Sequence, residues 1–328
     1  MADELEFYKS KFDGTTIDKR LGMIGDSYSE LLKNLGLQYI TNPNLLDNWF
    51  FGRLVNQRGQ TEYTYTPTPS YTIDRWRADG NGTITLKDGY IDVFNNNSWC
   101  SVMQYIDNPK CFAGKTLTAS MLRRDESPLK VMLYVDGKSL GEVLKTDKLV
   151  STTVTLPDNA SSIAILFGAS TNKTSSLLAA KLELGDAQTL AHQDSSGNWV
   201  LNEIPDFGEQ LRRCMYYAEK VESKDTPAIT NSTFVPSGAT SAVFILPYAR
   251  KRTVPAINFN DVSNYRIIAR SISGETTAFS VTAISHLDVG RTKAAILVSF
   301  NATDKGYYCF LQRSDDHTDG YAFISADL

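Results

Sequence analysis

Short runs rich in Thr, Val, Ile and Tyr, each closed off by turn-forming residues, recur along most of this chain and limit what it can fold into. Between residues 42 and 188 they read TITL, YIDVF, KTLTASML, KVMLYVDG, TTVTLP, SIAILFG and AAKLEL. From residue 222 they resume as STFVPSG, AVFILPYA, AINFN, YRIIARSIS, AFSVTAI, AAILVSF, YYCFLQR and YAFISADL. β-branched and aromatic residues in short alternating runs fit a pleated, half-buried surface. The pairs Asp88–Gly89 and Asp136–Gly137, and the Asp158–Asn159–Ala160 connection, supply turns, because Asp, Asn and Gly accept left-handed backbone angles. The pattern predicts a mainly β protein with two antiparallel, jelly-roll-like β-sandwiches. No repeat of fixed period and no low-complexity tract appears, so neither a solenoid nor a floppy tether is indicated.

A helical pattern precedes the strands. Ile17, Leu21, Ile24, Tyr28, Leu31 and Leu35 follow one another at steps of four and three, which puts all six on one helix stripe. With Leu21, Tyr28 and Leu35 at position a and Ile17, Ile24 and Leu31 at position d, the β-branched residues at d argue against a simple dimer. Gly22 and Gly25 each cost about 0.8 to 1 kcal/mol relative to Ala, so the helix needs partners. An amphipathic helix lying on its own domain also fits, but the preferred expectation is a short trimeric coiled coil. The predicted organisation is an attachment segment and trimerising helix at 1–41, a sandwich at 42–190, a connector at 191–221 and a second sandwich at 222–328. In the connector, Leu211, Met215 and Ala218 stand at helical spacing.

Several functions are disfavoured. With 33 basic and 37 acidic residues the net charge is −4, which gives no general field for nucleic acid or anionic lipid. The opening MADELEFYKSKFDG lacks the basic and apolar regions of a signal peptide, so assembly in the cytoplasm is expected. No apolar run approaches about 18 residues, so no membrane insertion is expected. Cys100, Cys111, Cys214 and Cys309 form no CxxC pair and read as buried free thiols, with a Cys100–Cys111 bridge left open. His192, His286 and His317 stand far apart, and no GxSxG, HExxH or P-loop pattern occurs. The expectation is a protein with no catalytic residues, no cofactor and no metal. Two distant carboxylates brought together by folding would make a glycan-degrading enzyme the alternative.

Sugar binding needs flat aromatic faces together with amides, carboxylates or guanidinium groups that fork onto hydroxyls. Candidates are Trp76 between Arg75 and Arg77, and Trp99 with Asn95, Asn97 and Tyr90. An Arg-Trp-Arg run on a strand more often means a buried ring with outward neighbours. Tyr63, Tyr65 and Tyr71 form either an aromatic platform or a blunted edge. Arg250 and Arg252 flank Lys251 in a basic cluster that reads as a surface turn or as an anchor for phosphate or carboxylate groups. Asp316, His317 and Tyr321 gather near the C-terminus as further glycan contacts.

Three segments together resemble a known family. NLLDNWFFGRLVNQRGQ, YTIDRWRADG and KLELGDAQTLA are similar to carbohydrate-binding-like sandwich domains of bacteriophage and prophage tail proteins, over residues 44–191. EFYKSKFDGTTIDKRLG resembles the leading segment of such fibres, and LRRCMYYAE with FILPYARKRTVPAINF resembles the start of their tip domains. The resemblance implies a tail fibre or receptor-binding protein in the virion tail. It further implies a homotrimer, joined through its N-terminal segment to other tail or baseplate proteins, that adheres to bacterial surface polysaccharide. A purely structural baseplate component is the remaining alternative.

Overall fold

Where the sequence alternates, the backbone pairs. The computed structural model describes residues 41–222, 228–230, 233–271, 273–301, 306–313 and 321–326, without the side chains of 97–100. The heptad stripe of residues 17–35, and with it the predicted coiled coil, lies outside the described residues, as do Asp316 and His317. Among the described residues, 44–188 and those from 204 onward form one compact unit, and 41–43 with 189–203 belong to another. In this second unit a small hairpin joins β11 (Ala191–Gln193) to β12 (Trp199–Leu201), with the Asp194 carboxylate accepting from the Ser196 and Asn198 N–H groups in its turn.

The larger unit begins with ten strands in one sheet: β1 (Glu62–Tyr65), β2 (Ser70–Tyr71), β3 (Arg77–Lys87), β4 (Tyr90–Tyr105), β5 (Thr116–Arg123), β6 (Leu129–Val135), β7 (Lys138–Lys145), β8 (Leu149–Thr155), β9 (Ile163–Ala169) and β10 (Lys173–Leu184). Every pairing is antiparallel. The first part of β4 pairs with β10, Ile91 opposite Leu177, and its last part pairs with β9, Val102 opposite Phe167. One hydrogen-bonded sheet therefore folds over itself into a front layer, β7-β6-β9-β4, and a rear layer, β4-β10-β5-β8. The hairpin of β3 and β4 runs through both layers, and its register shifts between Gly80 and Gly82. A Cβ on Gly82 would sit 2.1 Å from the Phe94 carbonyl oxygen, so this close approach requires glycine. The β6–β7 turn is Asp136–Gly137, both at positive φ (48° and 81°), the two-residue hairpin geometry that matches strand twist.

Between the layers lie Trp76, Phe51, Phe167, Ile91, Leu117 and Leu182, all buried. Burying such side chains contributes about 1.5 to 3 kcal/mol each. Trp76 is 0% exposed, meets Phe167 edge-on at 5.4 Å and donates its indole N–H to the Asn48 carbonyl at 2.9 Å.

A helix, α1 (Phe207–Met215), leads into the C-terminal part. Asp206 caps it by accepting from the Glu209 N–H at 2.8 Å. Ala218 does not extend this helix as its spacing predicted. It opens β13 (Ala218–Glu222), whose backbone is taken up by β21 (Tyr321–Ser325), with β16 (Ala256–Phe259) on the other side. A six-stranded sheet comprises β14 (Thr233–Val235), β15 (Ser241–Pro247), β17 (Tyr265–Ser271), β18 (Thr276–Val289), β19 (Lys293–Phe300) and β20 (Tyr307–Arg313). Ile257 and Ile324 from the first sheet share a core with Phe244, Ile267, Ile296 and Leu311 from the second. Cys214 and Cys309 are buried thiols as expected, whereas Cys111 is an exposed thiol, set on a short 3-10 turn outside the sheets. No helix among the described residues is long and apolar enough to cross a membrane.

Candidate functional site

Two strands of the front layer carry one pattern, Val102-Met103-Gln104-Tyr105 on β4 and Val131-Met132-Leu133-Tyr134 on β6. Strand β9 lies between them and is antiparallel to both, so like residues align across it. Met103 and Met132 both oppose Leu166, and Tyr105 and Tyr134 both oppose Ala164. Val102 and Val131 oppose Phe167 and point the other way, into the core. The outward face thus has a buried apolar floor of Met103, Leu166 and Met132, with two half-buried tyrosine rings packed beside it.

Polar side chains border this floor. Arg77 of β3 stands opposite Met103, and Asp79 follows on the same face. On the far side Lys130 pairs with Glu142 of β7 at 3.0 Å. Asn95 donates its amide N–H to the Ala169 carbonyl at 2.9 Å at one end. Together they line an open groove of about 620 Å3, within the size range of small-ligand sites. Burial raises the Tyr105 phenol above its ordinary pKa, with Tyr134 and Asp79 adding to the effect and Arg77 opposing it. The phenol therefore stays a neutral hydrogen-bond donor.

The predicted contacts scatter. Arg77 and Asn95 lie in the groove. Trp76 is enclosed between the layers and has no ring face for a sugar, which corrects the expectation of a glycan contact there. Its segment is a turn rather than a strand, because the Trp76 N–H donates to the Ile73 carbonyl and Arg75 has φ 71°. Arg75 is likewise no surface contact, being buried against Asp47 at 2.9 Å. Tyr90 lies outside the groove, at the far end of β4, beneath the Arg124 guanidinium at 4.4 Å. Asn97 and Trp99 belong to β4, but their side chains lie outside the described residues. Arg250 and Arg252 sit at the seam where the sandwich meets the C-terminal part. Tyr321, Tyr71 and the buried Tyr63 border a separate hollow, while Tyr65 is buried away from it.

Tyr105, Tyr134, Lys130 and Glu142 were not singled out from the sequence. For the two tyrosines the signal was the repeated V-M-x-Y, once in the predicted strand KVMLYVDG and once in VMQY at 102–105, beyond the predicted run YIDVF. Among the described residues no group of three or more His, Cys, Asp or Glu side chains is placed to hold a metal ion.

The seam itself is polar. Asp47 bridges Arg75 and, at 2.6 Å, Arg213 of α1. The Arg75 guanidinium lies 3.4 Å from the centre of the Tyr217 ring and donates to the Tyr105 carbonyl at 3.1 Å. Burial pulls the Arg75 pKa down, yet Asp47 and Tyr217 outweigh it and hold the pKa above its ordinary value.

No family model matches the chain, and no curated protein matches it. Among solved structures it is similar to the CBM22-1–CBM22-2 tandem domain of Paenibacillus barcinonensis Xyn10C, at 10% identity and TM-score 0.27, covering 88% of this chain and 98% of that one. It is similar to the M60 catalytic domain with CBM51-1 and CBM51-2 of Clostridium perfringens ZmpB, at 11% identity and TM-score 0.23, covering 83% of this chain and 38% of that one. A Paenibacillus xanthan lyase aligns at 12% identity and TM-score 0.23, covering 89% of this chain and 27% of that one. These neighbours include carbohydrate-binding module β-sandwiches and a glycan-active enzyme, all at low identity.

Proposed function

We propose that the chain is a glycan-binding protein that holds a surface polysaccharide across the front layer. The observation that carries this reading is the aligned pair Tyr105 and Tyr134, fixed by register on either side of Ala164. Strands lie about 4.8 Å apart, so the two tyrosine positions are about 9.6 Å apart, room for successive sugar rings to meet them. Arg77, Asp79, Lys130 and Glu142 supply forked donors and acceptors along the rim.

The groove binds rather than cleaves in this reading. Its carboxylates, Asp79 and Glu142, stand on β3 and β7, four strand spacings or about 19 Å apart. Hydrolysis by a carboxylate pair requires about 5 to 10 Å. The sequence resemblance extends the reading to a tail fibre or receptor-binding protein of a phage-like particle. Its N-terminal stripe would join three copies, so that weak sites gain avidity by linkage.

Titration of the full-length chain with bacterial capsular and cell-wall polysaccharides, alongside Tyr105→Ala and Tyr134→Ala, tests the site. Each substitution is expected to weaken binding about tenfold, since covering the exposed part of a half-buried ring contributes about 1.5 kcal/mol, the low end of the range for a fully buried side chain. Unchanged affinity in both variants would remove the groove from the proposal. Light scattering of the same samples checks the trimer, and the mass of a single 36.4 kDa chain would exclude it.

A further inference from the structure

We propose that the seam holds a second ligand site, one that takes a small ligand bearing an oxyanion, either the carboxylate of an acidic sugar or a phosphate ester. A cavity of about 600 Å3 opens there, lined by Arg75, Arg212, Arg213 and Arg250 from three separate stretches of chain. Two carboxylates also line it, and both are already engaged. Asp47 is held by Arg75 and Arg213, and Asp107 accepts from the Tyr217 hydroxyl and faces Arg252 at 3.7 Å. Arg212 is paired with Glu209 by two bonds, at 2.7 and 2.8 Å. The cluster therefore sets five arginines, at 75, 212, 213, 250 and 252, against three carboxylates, at 47, 107 and 209, leaving an excess of two positive charges.

The end of α1 would ordinarily oppose an anion, because helix C-termini carry partial negative charge. Here that end is neutralised. The buried Lys251 ammonium donates to the Met215 carbonyl at 2.6 Å and also pairs with Glu219 at 2.6 Å, and the Arg252 N–H donates to the Tyr216 carbonyl at 2.8 Å. Tyr216 is 37% exposed and, with Phe112, gives the cavity an apolar wall beside its cations. Exposed Arg250 is the residue best placed to meet an entering group, and its planar fork suits carboxylate and phosphate oxygens alike. This site uses none of the groove side chains.

The test is calorimetric titration of the full chain with glucuronate, glucose 6-phosphate, glucose and inorganic phosphate, at low and high salt. Glucuronate or glucose 6-phosphate should bind at least tenfold more tightly than glucose, weaken severalfold at high salt, and lose at least tenfold in Arg250→Ala with partial recovery in Arg250→Lys. Whichever of the two acidic sugars binds more tightly identifies the source of the oxyanion. Tyr134→Ala should leave this binding unchanged, so loss of polysaccharide affinity and loss of anion binding report on separate sites. Equal binding of glucose and glucuronate, equal binding of inorganic phosphate and the sugar derivatives, or an unaltered Arg250→Ala variant would each overturn the proposal.

Discussion

The groove on the front layer and the cavity at the seam are similar in size but are built by opposite means. In the groove, strand register does the positioning. Backbone pairing across β9 fixes Tyr105 and Tyr134, and the rings need few partners of their own. At the seam, long side chains from Asp47, Arg75, Arg213 and Tyr217 position one another, across more than 160 residues of sequence. A site built on register should tolerate the loss of a side chain, whereas a site built from mutual ion pairs should not. Tyr105 belongs to both, its ring at the groove and its carbonyl bonded to Arg75.

The strongest way to break this contrast is Asp47→Ala, which leaves Arg75 buried without its carboxylate. Uncompensated buried charge costs about 3 to 5 kcal/mol, so chemical denaturation should show a loss of that order. A loss under about 1 kcal/mol would mean that the seam is not held by its ions. Next in size, Tyr105→Ala and Tyr134→Ala should lower polysaccharide affinity about tenfold while costing less than about 1.5 kcal/mol of stability, because both rings are only half buried. If either unfolds the protein, the groove is as interdependent as the seam.

Alkaline pH sharpens the comparison further. Burial raises Tyr63 and Tyr248 from 10.0 to about 12, with Asp74 adding to the first and Asp288 to the second. Groups whose folded pKa exceeds the unfolded value stabilise the fold below the unfolded pKa and lose that contribution as pH rises through the folded one. Stability should therefore hold up to about pH 10 and fall between about pH 10 and pH 12, with tyrosinate absorbance appearing late in the native protein. Tyrosines that all ionise near pH 10 without loss of fold would contradict the burial described above. The smallest effect belongs to Glu142→Gln on the groove rim. Its pair with Lys130 is about half exposed, so thermal unfolding should register less than about 1 kcal/mol.

These contrasts also decide what could be read from the chain. The strands and the Asp88–Gly89 and Asp136–Gly137 turns were legible because alternation and left-handed backbone angles are local properties. The groove was half legible. KVMLYVDG was recognisable as a strand, but only the placement of β9 between β4 and β6 makes the two V-M-x-Y runs neighbours, and that is a matter of topology. Arg75 and Trp76 misled because RWR suggests a strand, while the ion pair with Asp47, 28 residues earlier, holds Arg75 at a positive φ that a strand would not adopt. The seam was invisible in one dimension, since Arg213, Tyr217 and Arg250 stand beside Asp47, Arg75 and Asp107 only where the C-terminal part packs on the sandwich.

The hairpin of β3 and β4 that threads both layers has a mechanical consequence. A tug on a polymer lying over Tyr105 enters a strand that is bonded to β9 at one end and to β10 at the other. Tension along β4 then loads those backbone bonds together, in shear, instead of parting them one after another as in peeling. Anchorage strength would thus depend on the direction of pull as well as on affinity.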